Sequence, residues 1–424
     1  MRLLLMATRE GFYVIVKIAA PLANIMKGRY VFPFLSCPGG EFLLPGNWCS
    51  LYNRPSKEVI YMRTGIANLP LHGHHCPRWL FDRMVKLSSA IIEAVVEEYG
   101  PGEVLERLSD PFWFQALGCV VGFDWHSSGL TTVLCGALKQ GLRPRQHDLG
   151  IYLAGGKAMT SRKTPSEIED YADRYGLTVD VPRLQYASRL SAKVDNTAVQ
   201  DGFQIYHHVF AFTGDGRWAV VQQGMDQAGG WARRYHWLGD KLDSFVEEPH
   251  SAVCGEPART VLNMVALESA GAREASLYLA QRPDEVIRTL KKIADMPADK
   301  FKTLNLPAAH PVPGANRIEK TLARLYDLQP STFEGMLATE GVGPATVRAF
   351  ALVAEVIYNA GASRKDPVRY SFAHGGKDGH PFPVNRQDYD RSISILERAL
   401  RRARTGDSDN LKALKRLAGI SAFV

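Results

Sequence analysis

Between Asp124 and His250 the chain sets carboxylates, imidazoles and amides inside segments that are otherwise apolar. Asp124 and His126 flank Trp125 within Phe112 to Leu138, a run made almost wholly of apolar or small residues. A carboxylate and an imidazole in such a run need partners or a task. Ser188, Ser191 and Asp195 follow at spacings of three and four, which places them on one helix face. Asp201 precedes a strand on which Gln204, Tyr206 and His208 alternate with Ile205, His207 and Val209. The returning strand carries Gln222 and Gln223, with Asp226 just beyond. Either turn register sets one of the two histidines opposite one of the two glutamines. Arg233, Arg234, His236, Glu247, Glu248 and His250 come next.

Hard oxygens with an imidazole to position or deprotonate water form the donor set of a Mg²⁺ or Mn²⁺ site. Asp124, Asp195 and Asp201 are the expected metal ligands, and His126, Gln204 and His208 complete the expected catalytic set. Arg189, Lys193, Arg233 and Arg234 lie near in sequence and suit the charge that develops during phosphodiester cleavage. The same side chains also fit a buried hydrogen-bond network that only fixes the fold. His72, His74, His75 and Cys76 match no standard metal spacing. Gly155-Gly156-Lys157, followed by Thr160 to Lys163, reads as a basic loop rather than a nucleotide-binding one.

A second chemistry is written in Glu340-Gly341-Val342-Gly343-Pro344-Ala345-Thr346-Val347-Arg348, between two apolar helical segments. Two glycines one residue apart permit a tight turn, and Pro344 is placed to open the second helix. The turn aims backbone N–H groups and a helix dipole at one point, which suits a phosphate. The pattern resembles the helix-hairpin-helix of DNA repair proteins. That resemblance implies backbone contact from Gly341, Val342, Gly343, Thr346 and Arg348, with Lys377 of the later glycine-rich turn on the same surface. Such contacts position a protein without reading bases. The alternative is a plain glycine-capped helix connection.

The elements that must position these residues are legible in part. Leu80, Met84, Leu87, Ile91, Ile92 and Val95 predict a helix from Trp79 to Tyr99, ended by Gly100-Pro101-Gly102. A short helix follows to Leu108. Another is expected from Pro165 to Tyr175, capped by Thr164 with Glu167 reaching back. A helix through Leu184 to Ala198 precedes a β-hairpin, Phe203–Phe212 and Arg217–Gln223, around Asp215-Gly216. Beyond Ala258 the pattern is helical. The expected fold is therefore an α+β domain with a small sheet over 62–258, then an all-α domain over 259–424 whose helix-hairpin-helix spans about 331–360.

Residues 1–61 carry weak periodicity and are read as an appendage or an upstream extension. At 424 residues, 46% hydrophobic and 22% charged, the chain has the composition of a soluble globular protein with two or three domains. From Gln281 onward 23 Lys+Arg stand against 16 Asp+Glu, a difference of +7 that equals the net charge of the whole chain. The basic excess thus lies in the part that carries the turn, as a nucleic-acid footprint would. The six cysteines lack paired short spacing, which indicates neither a zinc knuckle nor a redox dithiol and fits a reducing, cytoplasmic setting. No run is long enough to span a bilayer.

Arg63-Thr64-Gly65-Ile66-Ala67-Asn68-Leu69-Pro70-Leu71-His72-Gly73, Asp110-Pro111-Phe112-Trp113-Phe114-Gln115-Ala116-Leu117-Gly118, Gly122 to Gly129, Val199-Gln200-Asp201-Gly202 with Tyr206-His207-His208, and His374 to Gly379 together resemble the domain-of-unknown-function 763 family. The resemblance covers 62 to 424 and departs after Gly73, where a second glycine is expected instead of His74. It implies metal-dependent DNA cleavage and transfers no catalytic assignment. The expected function is a metal-dependent DNA nuclease of weak sequence specificity, with DNA as partner and a homodimer compatible. A helix-hairpin-helix glycosylase using Asp366 and a non-catalytic DNA-binding repair protein are the alternatives.

Overall fold

A computed structural model describes residues 2–7, 13–18, 69, 76–123, 128–226, 230–258, 261–295, 314–368, 386–402 and 412–417. Met1–Tyr61 and Met62–Val424 form two compact units. In the first, β1 (Arg2–Ala7) and β2 (Tyr13–Ile18) pair antiparallel, Arg2 opposite Ile18 and Ala7 opposite Tyr13. Sequence reading found no element there.

The second unit mixes helix and sheet. Helices α1 (Arg78–Tyr99), α2 (Pro101–Ser109), α3 (Pro111–Val120) and α4 (Gly129–Leu142) come first. The breaks between them follow local chemistry. Gly100 takes φ +85 and donates its N–H to Val96, and Pro101 then opens α2. Asp110 caps α3 by accepting from Phe112 N–H at 2.8 Å and Trp113 N–H at 3.2 Å, with Pro111 at the first helical position.

Strand β3 (Ile151–Lys157), helices α5 (Thr164–Tyr175) and α6 (Val181–Lys193), and the short strand β4 (Val199–Gln200) follow. Then come β5 (Gln204–Thr213), β6 (Trp218–Asp226), β7 (Trp231–Leu238) and β8 (Ala252–Cys254). The central sheet is antiparallel in the order β3-β5-β6-β7-β8. A separate ladder joins β4 to β9 (Leu262–Asn263). Helices α7 (Ala270–Ala280), α8 (Pro283–Ala294), α9 (Ala315–Leu328), α10 (Phe333–Ala338), α11 (Pro344–Tyr358) and α12 (Arg386–Arg402) follow, and residues 412–417 are also helical.

Period-two alternation gives each face of the sheet its own core. Phe210, Phe212, Val220, Tyr235 and Trp237 pack with α5–α7 and with Leu322, Met336, Val347 and Phe350 of the later helices. Val209, Ala211, Ala219 and Val221 pack with α1–α4 and with Ile395 and Leu400 of α12. The first core runs without interruption across residue 258, and β9 also lies beyond that point.

Three local expectations are corrected. Gly155-Gly156-Lys157 belongs to strand β3, not to a loop. Gly155, at φ +93, is required there because a Cβ would stand 2.2 Å from the His208 carbonyl oxygen. Lys163, not Thr164, is the N-cap of α5. Glu167 instead accepts from Gly155 N–H and Lys139 Nζ, both at 2.6 Å, and so ties α5 to β3. The helix expected through Ala198 ends at Lys193 and passes into a π turn, Val194–Ala198, that holds Asp195.

Candidate functional site

The helix-facing side of the sheet that carries Phe210 also carries a buried polar chain. Ser188 donates its hydroxyl to His208 Nε2 at 3.0 Å, and His208 Nδ1 pairs with Gln222 Oε1 at 2.8 Å. Gln222 Nε2 donates to Asp195 and, at 3.1 Å, to the Ser191 carbonyl. Asp195 also accepts from Trp237 Nε1 at 2.9 Å and from His250 Nε2. The register sets His208 opposite Gln222 and His207 opposite Gln223, so both histidines face glutamines. A serine hydroxyl on an imidazole is what a nucleophile and its base would show. Here both are sealed, Ser188 2% and His208 3% exposed. Burial lowers the His208 pKa, opposed by Gln222 and Asp195, so the imidazole is neutral and binds rather than shuttles.

Asp201 belongs to a neighbouring cluster. It accepts from Arg233 at 2.7 Å, Tyr235 Oη at 2.7 Å and Phe203 N–H at 3.1 Å. Arg233 reaches Asp366 at 2.8 Å with its other nitrogen and stacks on Phe203 with its guanidinium 4.6 Å from the ring centre. Burial would lower the Arg233 pKa, but Asp201 and Asp366 raise it above its ordinary value. Burial drives the Asp201 carboxyl up, with Arg233 the largest opposing influence. Asp366 further accepts from Ala258 N–H and Val368 N–H. It is a latch between the sheet and the chain after α11.

Asp195 and Asp201 therefore give their oxygens to separate sets of protein donors and do not present a shared pair to Mg²⁺ or Mn²⁺. Among the described residues, no three His, Cys, Asp or Glu side chains gather as metal ligands. Gln204 stands exposed at the start of β5. Asp124, His126 and Lys377 lie outside the described residues.

The opposite face of the sheet carries a polar row with one residue per strand. Lys157, His207, Gln223, Arg234 and Cys254 are successive register partners across β3, β5, β6, β7 and β8. The Arg234 end is well bonded, to His236 at 2.9 Å, Gln115 at 2.9 Å and Thr131 at 3.3 Å. His236 Nδ1 donates to the Leu108 carbonyl at 2.8 Å. The His207 end differs. Among the described residues, neither ring nitrogen of His207 nor Oε1 of Gln223 has a hydrogen-bond partner, although both residues are buried. Gln223 Nε2 donates to Tyr206 Oη at 2.5 Å and to the Ser128 carbonyl at 2.9 Å. Ser128 is the first described residue after the segment that holds Asp124 and His126.

The turn between α10 and α11 has its carbonyls tied down. Lys193 Nζ donates to Thr339 O at 3.0 Å, Arg324 to Glu340 O at 3.2 Å and Thr321 Oγ1 to Gly341 O at 3.2 Å. Gly341 takes φ +89, and Gly343 is the N-cap of α11 with no side-chain cap. The N–H groups of Gly343, Ala345 and Thr346 are thus the helix's orphan donors. Val342 is buried as an anchor. Thr346 and Arg348 are buried too, and Arg348 donates to Gln200 Oε1 at 2.8 Å. Gln200 Nε2 donates to the Pro344 carbonyl at 3.0 Å, which bolts the turn to β4.

A family model described as protein of unknown function (DUF763) matches residues 65–384. The chain belongs to that family. No curated protein and no solved structure matches it. The DUF763 match spans the five-stranded sheet, both of its polar faces and the α10–α11 turn.

Sequence reading passed over Arg317, Lys320 and Arg324 and set Arg189 and Lys193 beside the expected cleavage site rather than the turn. Arg317, Lys320 and Arg324 share the face of α9 that holds Thr321. Arg189 stands one helical turn before Lys193 on α6. The spacing of Arg317, Lys320 and Arg324 was visible in the sequence; their approach to the turn was not. Nor was the Asp195–His250 pair, whose members lie in different elements.

Proposed function

We propose that this protein binds DNA through the phosphodiester backbone at the α10–α11 turn. The observation that carries the reading is the turn's polarity. Its carbonyls are held by Lys193, Arg324 and Thr321, while α11 begins without a side-chain cap. Exposed Arg317 and Lys320 on α9 and Arg189 on α6 lie on the helices that hold the turn through Thr321 and Lys193. A strand phosphate supplies the acceptor such a helix start lacks, and the flanking cations add a field that is independent of sequence. The turn is read as a helix-hairpin-helix, with contacts from backbone N–H groups rather than from the inward Arg348.

The second reading is hydrolysis of the bound strand with Mg²⁺ or Mn²⁺. What favours it is the unpartnered pair His207 and Gln223 beside Ser128. The glycosylase alternative is disfavoured, since Asp366 spends its oxygens on Arg233, Ala258 and Val368. The test uses end-labelled single- and double-stranded DNA with Mg²⁺, Mn²⁺ or chelator. Retention of label without cutting supports binding alone, metal-dependent cutting supports the nuclease, and no retention at low salt defeats both.

A further inference from the structure

We propose that His207 and Gln223 hold a first-row transition-metal divalent cation on the face of the sheet opposite Asp195. The orientation of the Gln223 amide is fixed by its surroundings. Its Nε2 donates to the Ser128 carbonyl and to Tyr206 Oη, and a flipped amide would set oxygen against the carbonyl oxygen. Oε1 is thereby turned to a place where, among the described residues, no donor stands. His207 is its register partner on β5, on the same face of the sheet. Directly opposed strand residues keep their Cβ atoms about 5 Å apart, so imidazole and amide stand side by side.

Both ring nitrogens of His207 are also without partners among the described residues, and His207 is 1% and Gln223 0% exposed. Three polar atoms on two register partners that have no partner among the described residues are not explained by folding alone. Groups of this kind in a native interior point to a ligand or ion.

The chemistry of the atoms selects the ligand. Burial is the main cause that holds the His207 imidazole neutral, with its pKa lowered to about 3, so its lone pair is open at neutral pH. An imidazole nitrogen and an amide oxygen both donate lone pairs. An anion would be repelled by the amide oxygen and could accept only the single N–H of the neutral ring, whereas Mn²⁺, Co²⁺ or Zn²⁺ accepts both lone pairs. The nitrogen favours those ions over Mg²⁺ and Ca²⁺. Charges that bear on His207 are those of His208 and Lys157. His208 faces the other side, bound to Ser188 and Gln222, and Lys157 is exposed on the edge strand.

The inference concerns metal binding without DNA, so it can fail while DNA binding stands, and the reverse. Chelator-stripped full-length protein is titrated with Mn²⁺ and the free ion followed by electron paramagnetic resonance, with Co²⁺ absorption as a second probe. Wild type is expected to bind one ion per chain, with at least a tenfold loss of affinity in His207→Phe and in Gln223→Leu. Metal-free His207→Phe is expected to melt at or above the wild-type temperature, because an apolar ring replaces orphan polar atoms. Gln223→Met, which keeps the length of the side chain and removes the oxygen without facing the Ser128 carbonyl with another, is expected to lose affinity likewise and serves if Gln223→Leu misfolds. No bound ion in wild type, or affinities unchanged in all three variants, would overturn the proposal in favour of a bridging water.

Discussion

Replacing Asp195 separates a structural carboxylate from a catalytic one. Asp195 is fully buried and accepts from Gln222, Trp237 and His250. In Asp195→Ala, Gln222 Nε2 retains the Ser191 carbonyl, but Trp237 Nε1 and His250 Nε2 lose their acceptor. Each stranded buried donor costs about 1–3 kcal/mol, so the loss is roughly 2–6 kcal/mol before the cavity is counted. A domain's whole stability is about 5–15 kcal/mol. Asp195→Asn keeps one acceptor oxygen and turns an NH₂ toward the other donors, for a loss of about 1–3 kcal/mol. Urea unfolding followed by tryptophan fluorescence reads both changes, and Trp237 reports on the site itself. DNA binding and any cleavage should fall only with the folded fraction. An Asp195→Asn protein that unfolds like wild type but has lost metal-dependent cleavage would refute this account and restore Asp195 as a ligand.

The buried triad should behave differently from surface pairs. Arg233→Met strands Asp201 and Asp366 and is expected to cost about 3–5 kcal/mol in urea unfolding, whereas Arg398→Ala, which loses an exposed contact with Glu98, should cost less than about 1 kcal/mol. Acid should expose His207: with an unfolded value near 6.5 and a folded value of about 3, the unfolded chain binds the extra proton between those limits. Stability present above pH 6.5 is then lost toward pH 3 at roughly 1 kcal/mol per pH unit from this residue, and His207→Phe should flatten the chelator-treated pH profile by that slope. For DNA, exposed Arg317 and Lys320 on α9 and Arg189 on α6 lie on the two helices that bond the turn through Thr321 and Lys193. Release of counterions from about three phosphates gives a slope of log K against log salt between about −2 and −3, read by fluorescence anisotropy.

Local signals were legible wherever the nearest neighbours in sequence decide the structure. The helix near Trp79–Tyr99 was fixed by apolar spacing and by Gly100-Pro101, and the β5–β6 hairpin by β-branched and aromatic strands around Asp215-Gly216. The grouping of Ser188, Ser191 and Asp195 was likewise a matter of helical spacing, and all three are buried. Strands β3 and β7 were missed because Gly155-Gly156-Lys157 and Arg233-Arg234 look like loop chemistry. Their strand state comes from pairing with β5 and β6, a long-range cause that overrides local preference. The fates of the polar residues were illegible for the same reason. Whether His207 or His208 keeps unpartnered nitrogens depends on Ser188 and Gln222 facing one side of the sheet and Ser128 the other. Arg348 reads as a phosphate ligand in the motif, yet α11 turns it toward Gln200.

Gly343→Asp tests DNA binding at the turn most directly. Gly343 is the N-cap of α11 at φ −135 and ψ −174, and a Cβ there meets nothing within 4 Å. An aspartate cap satisfies the orphan N–H groups and stabilises the helix by up to about 1 kcal/mol, while its charge occupies the place a phosphate would take. The measurement is equilibrium binding of a labelled oligonucleotide by wild type and variant, with melting temperatures alongside. At least tenfold weaker binding with equal or higher melting temperature is the predicted result. Unchanged affinity in a folded variant would contradict backbone capture at this turn.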